Sequence, residues 1–277
     1  MNKILVTGAK GQLGIDVVNY LSKSYEVIGL DKDDLDITNL ESVLNCINEV
    51  NPDVVINCAA YTNVDGCEEN QDLAYKINGI GARNLAIASN HNAIKLVHIS
   101  TDFVFDGETD SVYTEFDGTN PISVYGKSKK AGEDFIKKMS SKYFILRTAW
   151  LYGKNGNNFV KTMLRLAETN DTLKIVDDQV GTPTFTEDLV EVIAMVIKTE
   201  KYGTYHVSND GKCSWYEFAK KIFELANVDI EVLSITTEEL GRPAKRPKYS
   251  VMRNYMLELE FDYHIRSWES ALEKYFK

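Results

Sequence analysis

Four apolar or β-branched residues, Ile4 to Thr7, run without a break into Gly8-Ala9-Lys10-Gly11-Gln12-Leu13-Gly14, and an amphipathic stretch from Gln12 to Ser22 follows at once. A strand that ends in spaced glycines and opens a helix leaves few folds available. Gly8 can make the tight turn, Gly11 lets the backbone approach a pyrophosphate, and Gly14 lets the helix sit close on the strand. The G-x-x-G-x-x-G spacing alone is also met by plain turns and packing. Its place between a strand and a helix is what points to a phosphate-binding loop.

The same rhythm repeats along the first half of the chain. Short β-branched runs at Glu26 to Leu30 and Asp53 to Cys58 alternate with amphipathic stretches at Leu40 to Val50 and Ala74 to Ser89. The series continues with a strand at Lys95 to Ser100, a helix from about Tyr125 to Met139 and a strand at Tyr143 to Ala149. Near-continuous apolar strands separated by helices need both faces covered and right-handed crossovers, so the expected fold class is α/β, a Rossmann-like doubly wound parallel sheet. After Trp150 the rhythm loosens into helices at Phe159 to Glu168, Asp188 to Thr199, Trp215 to Ala226 and near Trp268 to Tyr275, with a strand at Gly203 to Ser208. Residues 1–150 are expected to form a dinucleotide-binding domain, and residues 151–277 mainly a smaller C-terminal α/β lobe for substrate, some of whose segments return to the sheet. A cleft between the lobes is the expected site.

Charge and cysteine usage narrow the function classes. Over 277 residues, 31 basic side chains stand against 41 acidic ones, a formal charge of −10 that repels a phosphate backbone. Nucleic-acid binding is not expected. No apolar segment of signal-peptide length follows a cationic start and no stretch approaches about 18 uninterrupted apolar residues, so the expectation is a cytoplasmic protein without a membrane role. Cys46, Cys58, Cys67 and Cys213 contain no CxxC pair, and His91, His98, His206 and His264 show no metal spacing. These residues read as structural, in a reducing compartment, and no metal site is expected.

The second strand ends at Asp31, 17 residues after Gly14, where a carboxylate can accept both hydroxyls of an adenosine ribose. That favours NAD(H). Lys10 and Lys32 stand close enough in sequence to meet a 2′-phosphate, which keeps NADP(H) as the alternative, and Asp31 also belongs to an acidic run that a plain turn would explain. Asp36 and Ile37 are expected beneath an adenine, and Asn57 to Tyr61, with Ala59 and Ala60, along the middle of the cofactor.

Tyr125-Gly126-Lys127-Ser128-Lys129 places a phenol and an ammonium four residues apart, on one face of a helix. A phenol of pKa about 10 is a poor acid or base at neutral pH, and a nearby ammonium favours its ionised form. Alone, this spacing is common on surface helices; behind a dinucleotide loop and several α/β units it marks a catalytic pair. Thr101 closes the fourth strand, and ligands of open α/β sheets bind beyond the carboxyl ends of strands. Its hydroxyl is expected to bond a substrate carbonyl beside Tyr125. Trp150 follows a strand end and could wall a sugar or base. Arg246, in the basic segment Arg242 to Lys248, could clamp a pyrophosphate, unless that loop is merely solvated.

The ordered strings GAKGQLG, NCAAYTNVDGCE, HISTDFVFDG, YGKSK, RTAWLYG, DQVGTPT and RPAKRPKYSVM resemble the dTDP-4-dehydrorhamnose reductase family over nearly the whole chain. The resemblance implies an extended short-chain dehydrogenase/reductase that uses NAD(P)H to reduce the C4 keto group of dTDP-4-dehydro-L-rhamnose, the last step of dTDP-L-rhamnose synthesis. It sets the catalytic trio on Thr101, Tyr125 and Lys129, the cofactor side on Gly11, Gln12, Leu13, Asp31, Ala59, Ala60 and Asn78, and the sugar pocket on Val64, Asp102, Val104 and Trp150. Some family members are joined as dimers through magnesium held by acidic residues. Asp16 and Glu187 fall near two such positions, but the third would come from a longer tail, so no metal is expected and a homodimer through other surfaces stays open. Two alternatives remain beside this reading: a reductase of another nucleotide 4-keto-6-deoxysugar, and a noncatalytic NAD(P)-binding regulatory subunit.

Overall fold

The computed structural model describes residues 2–277. Its first part runs β1 (Lys3–Thr7), α1 (Gln12–Leu21), β2 (Glu26–Leu30), α2 (Leu40–Val50), β3 (Val54–Asn57), α3 (Val64–Glu69), α4 (Gln71–Ala74), a π-helical segment (Tyr75–Gly81), α5 (Ala82–His91), β4 (Lys95–Thr101), α6 (Val124–Met139) and β5 (Tyr143–Thr148). Then follow β6 (Leu151–Tyr152), α7 (Phe159–Ala167), β7 (Thr172–Val176), β8 (Val180–Gly181), β9 (Thr184–Phe185) and α8 (Thr186–Val196). The chain ends with β10 (Gly203–His206), β11 (Cys213–Ser214), α9 (Trp215–Ala226), β12 (Glu231–Ile235), α10 (Thr237–Leu240), α11 (Tyr255–Phe261) and α12 (Trp268–Phe276).

Six strands form one parallel sheet in the order β10-β5-β4-β3-β1-β2. Alternation along β1 supplies both faces. Ile4 and Val6 join Val17 of α1 and Ile193 of α8 on one side, while Leu5 joins Ile47 of α2 and Leu85 of α5 on the other. Strand order reverses between β1 and β3, which opens a crevice beyond their carboxyl ends, where Gly8 and Cys58 lie. A third core, built on Tyr152, Phe185, Phe218 and Leu272, holds α7, α9 and α12 together beside the parallel β7–β12 pair. Among the described residues no helix is long and apolar enough to cross a membrane.

Most expected elements form within a residue or two of their sequence limits. The expected helix from Ala74 to Ser89 is an exception, because Tyr75–Gly81 winds as a π-helix between α4 and α5. The wider turn brings Asn78 inward, where its Oδ1 accepts from Tyr61 N–H and its Nδ2 donates to Tyr61 O and Ser128 Oγ. Helix α3, the β7–β12 pair and α11 carry too few residues or too weak an alternation to stand out from the sequence.

Helix α6 begins where Ser123 Oγ accepts from Gly126 N–H. Gly126 is required here, since a Cβ would lie 2.1 Å from Phe103 O of the segment after β4. Farther along α6, buried Glu133 accepts from Arg147 Nε at 2.9 Å, Arg147 Nη2 at 2.7 Å and Ser100 Oγ at 2.7 Å, which ties the helix to β5 and β4. Burial opposes the charge on Glu133, but the Arg147 hydrogen bonds and charge, with Ser100 and Lys137, outweigh it and hold the carboxyl below its ordinary value. Removing one partner of such a pair strands the other charge without water. Glu133→Gln should therefore lower unfolding free energy at neutral pH by about 3 kcal/mol or more. The folded pKa is depressed, so the carboxylate contributes fully above the unfolded value near 4.5 and loses that contribution as pH falls through the folded value. Urea denaturation across that range should show the gap between variant and wild type constant above about pH 5 and narrowing below about pH 4.5.

Candidate active site

The glycine loop sits over the sheet's crevice as its spacing led one to expect. A Cβ on Gly14 would lie 2.1 Å from Gly8 O, so only glycine lets α1 start this close to the loop. Gly11, Gln12, Leu13 and Gly14 line one wall of a cleft of about 500 Å³ whose other walls include Ala60, Thr101, Tyr125 and Lys129. Gln12 Nε2 donates to Leu151 O, while its buried Oε1 has no partner. An unsatisfied acceptor in a glycine-lined cleft suits a ligand with amide or hydroxyl donors, so these residues fit a dinucleotide.

Several cofactor-side expectations move once the side chains are in place. Asp31 accepts from the backbone N–H groups of Lys10 at 3.1 Å and Lys32 at 2.7 Å, which braces the loop as well as presenting a carboxylate beside it. The Lys10 ammonium is drawn to Asp34, 3.9 Å away. Asp36 turns its carboxylate to Thr38, and Ile37 is buried against Gly81 in the α2–α5 core. Asn78 uses its amide on Tyr61 and Ser128, which positions the chain after β3. Ala59 N–H is likewise given to Asn57 Oδ1.

Thr101, Tyr125 and Lys129 meet in the cleft. Thr101 Oγ1 donates to Asp102 Oδ1 at 2.9 Å and accepts from Phe103 N–H at 3.2 Å, so its proton must rotate to reach a substrate oxygen. Burial pushes the Asp102 carboxyl up to about 6, against the hydroxyls of Ser250 and Thr101. The Tyr125 ring packs edge-on against Phe103, with centroids 5.5 Å apart. Burial raises the Tyr125 phenol well above its ordinary value, with Thr101 opposing and Asp102 reinforcing. This departs from the lowering expected from a neighbouring ammonium. The cause is geometric: Lys129 Nζ donates to Ile99 O on β4 and lies 3.3 Å from His98 Nε2. Burial brings Lys129 down to about 8, although Glu133 and Cys58 oppose the shift.

The cleft continues into a second cavity of about 540 Å³ through shared walls at Val64, Phe103, Trp150, Trp215 and Arg246. Trp150 takes a left-handed backbone with φ of 46° and stacks on Trp215, with centroids 3.6 Å apart. Arg246 Nη2 bonds Asp65 Oδ2 at 3.0 Å, and Arg242 approaches the same oxygen at 3.6 Å. Burial opposes the charge on Asp65, yet Arg246, Ala244 N–H and Arg242 hold its carboxyl below the usual range. Val104, expected in the sugar pocket, is instead fully buried with Phe105 and Met252, because a 3-10 turn over Asp102–Val104 follows β4 and presents Phe103 to the cleft. Phe103, Trp215 and Asp65 were not singled out from sequence. The alternation of an apolar strand stops at Thr101, and Trp215 comes from a helix 65 residues beyond Trp150.

Known proteins resemble this chain along its whole length. Residues 1–277 match the family described as RmlD substrate binding domain. The spore coat polysaccharide biosynthesis protein SpsK of Bacillus subtilis is 46% identical over 276 residues, covering 99% of this chain and 97% of that protein. A dTDP-4-dehydrorhamnose reductase of Aggregatibacter actinomycetemcomitans is 41% identical over 288 residues, covering 99% and 98%. A crystal structure of dTDP-4-dehydrorhamnose reductase from Bacillus anthracis in complex with NADP superposes with a TM-score of 0.98 at 51% identity, covering 100% of this chain and 99% of that one. By full-length sequence and by fold, the chain belongs to the RmlD substrate binding domain family, that of the dTDP-4-dehydrorhamnose reductases.

Proposed function

We propose that the protein is an NAD(P)H-dependent oxidoreductase that reduces the C4 keto group of dTDP-4-dehydro-L-rhamnose to dTDP-L-rhamnose, the last step of dTDP-L-rhamnose biosynthesis. The observation that carries this is the meeting of Thr101, Tyr125 and Lys129 with the glycine loop in one cleft. Full-length relatives bearing the reductase name support the substrate. The hydride for C4 comes from the reduced nicotinamide cofactor that Gly11, Gln12, Leu13 and Gly14 would hold. Tyr125 hands its proton to the C4 oxygen, and a phenol kept protonated by burial is suited to that direction of transfer. Thr101 orients the same oxygen once its proton turns from Asp102. We assign residues 1–150, with the returning α8 and β10, to the cofactor and residues 151–277 mainly to the substrate, whose pyrophosphate would meet Arg246 and whose base or sugar would lie along Trp150 and Val64. A cytoplasmic location follows from this substrate and cofactor class.

A second reading, reduction of another nucleotide 4-keto-6-deoxysugar, is favoured by a dTDP-4-keto-6-deoxy-D-glucose reductase of Streptomyces niveus that is 38% identical over 275 residues. Turnover on a panel of nucleotide 4-ketosugars separates the two. NADH or NADPH oxidation dependent on freshly epimerised dTDP-4-dehydro-L-rhamnose is expected, and its absence in protein that binds cofactor would sink the first reading.

Tyr125→Phe should lower kcat by about 10²- to 10⁴-fold, the span that general acid catalysis supplies, while cofactor affinity measured by fluorescence titration stays near wild type. A rate close to wild type would remove Tyr125 from the acid role. Asp31→Ala should move the ratio of kcat/KM for the two cofactors toward NADPH by a factor of about 5 to 30, corresponding to roughly 1 to 2 kcal/mol. Both cofactors are compared at fixed ionic strength, because screening alters any phosphate contact. An unchanged ratio would mean that the Asp31 carboxylate serves only the loop's backbone.

A further inference from the structure

Asp65 stands in the first turn of α3, in the first lobe, yet both of its oxygens are bonded to one segment of the second lobe. Oδ1 accepts from the backbone N–H of Ala244 at 3.1 Å, and Oδ2 accepts from Arg246 Nη2 at 3.0 Å. Arg246 Nη1 in turn donates to Ala244 O at 3.0 Å, which closes a ring of hydrogen bonds through Asp65, Ala244 and Arg246. A guanidinium held at both terminal nitrogens has its plane fixed, and it keeps further N–H groups that no described residue accepts from. Arg246 lines both the cleft that holds Tyr125 and the cavity beyond it, so those groups stand where the two spaces join.

The ring matters because the local backbone does not fix this side chain. Residues 241–248 form neither helix nor strand, and an arginine on such a segment samples many rotamers. Charge alone gives no reason for Asp65 to be here. Arg242 comes within 3.6 Å of the same Oδ2 and Lys174 lines the same cavity, so the surroundings attract a diphosphate, and Asp65 cancels part of that attraction. A carboxylate beside an anion site opposes the anion unless it improves the geometry of the cations. Asp65 does this from a firm base: Asn63 Oδ1 caps α3 through Gly66 N–H, and Glu68 accepts from Val124 N–H at 2.9 Å where α6 begins. Val124 precedes Tyr125, so α3 sets Arg246 and the proton donor relative to each other. We propose that Asp65 is a positioning residue that fixes Arg246 at the junction of the two cavities, its remaining N–H groups presented to the diphosphate of a nucleoside-diphosphate sugar. This rests on the functional reading above, which brings such a substrate into the cleft.

Calorimetric binding of dTDP to the full chain loaded with NADP⁺ tests this, because charge and position predict opposite signs. In Asp65→Asn the single amide oxygen keeps the Ala244 N–H and the Nδ2 donor then faces Arg246 Nη2, so the ring opens while a negative charge is removed. The dTDP Kd should rise about tenfold, although the site has become more cationic. Unchanged or tighter binding overturns the proposal. In an Arg246→Ala background the same substitution should change Kd by less than about twofold, since Asp65 acts through Arg246, and an equal loss in both backgrounds overturns it. Thymidine, which lacks the diphosphate, should bind wild type and Asp65→Asn alike; an equal loss for thymidine would mean a collapsed cavity and overturns it too. In turnover, KM for the 4-ketosugar nucleotide should rise with the dTDP Kd while kcat stays within about twofold, and a fall in kcat at constant KM overturns the proposal. Should Asp65→Asn fail to fold, the unchanged protein decides. Its arginine side-chain ¹⁵N NMR without ligand, assigned by Arg246→Lys, should show separate, slowly rotating Nη groups for Arg246, and averaged signals overturn the proposal. Wild type that binds no dTDP also overturns it. Wild type that binds dTDP but reduces no sugar nucleotide ends the functional reading and leaves the Asp65 results to stand, whereas turnover with unchanged dTDP binding in Asp65→Asn ends this proposal alone.

Discussion

The buried pair of Glu133 and Arg147 is the contact on which the rest of the site depends. Tyr125, Lys129 and Glu133 recur every four residues and share one face of α6, so whatever clamps Glu133 also sets the roll of the helix that carries the other two. Arg147 on β5 grips both carboxylate oxygens and Ser100 on β4 adds a third bond, so the face carrying Tyr125 and Lys129 is referenced to two neighbouring strands of the sheet. At the other end of the helix, Gly126 lets α6 press onto the Phe103 carbonyl, one residue from Asp102. A site built on a helix held at both ends against a buried sheet has little freedom to drift.

Desolvation then decides the charges inside. It raises Tyr125 and lowers Lys129 and His98, so the three groups that could trade protons are all pushed toward their neutral forms. An arrangement of neutral donors suits reduction, in which a proton must be delivered as negative charge grows on oxygen. Asp102, brought up to about 6, belongs to the same pattern. Besides the buried Glu133–Arg147 pair, charge gathers farther out, where Asp65 meets Arg242 and Arg246 at the mouth of the second cavity.

Much of this was legible in the sequence because it is local. The glycine loop, Asp31, Thr101 at a strand end and the Tyr125–Lys129 spacing each depend on residues close together in the chain, and each comes where the β-α rhythm put it. What escaped depends on a change of period or on long range. Val104 lost its place to Phe103 because the strand's alternation gives way to a single 3-10 turn. Asn78 and its neighbours read as ordinary helix, since nothing in a π-helical sequence announces the wider turn. His98 looks like any apolar-strand histidine until Asn57 and Lys129, 41 and 31 residues away, are seen on either side of it. Trp215 faces Trp150 only after the second lobe has formed.

The placement of β10 has a further consequence, for synthesis. Strand β5 is complete at Thr148, but the strand that covers its outer edge begins at Gly203, about 55 residues later. At roughly 5 to 20 residues per second, a growing chain spends roughly 3 to 11 seconds with the apolar β5 edge unpaired. An open edge of that kind is a template for pairing with other chains. Ribosome-bound chains long enough to release Trp150 but not Gly203 should therefore be held by chaperones more strongly than chains long enough to release His206, and equal capture of the two would show that something else shields the edge during translation.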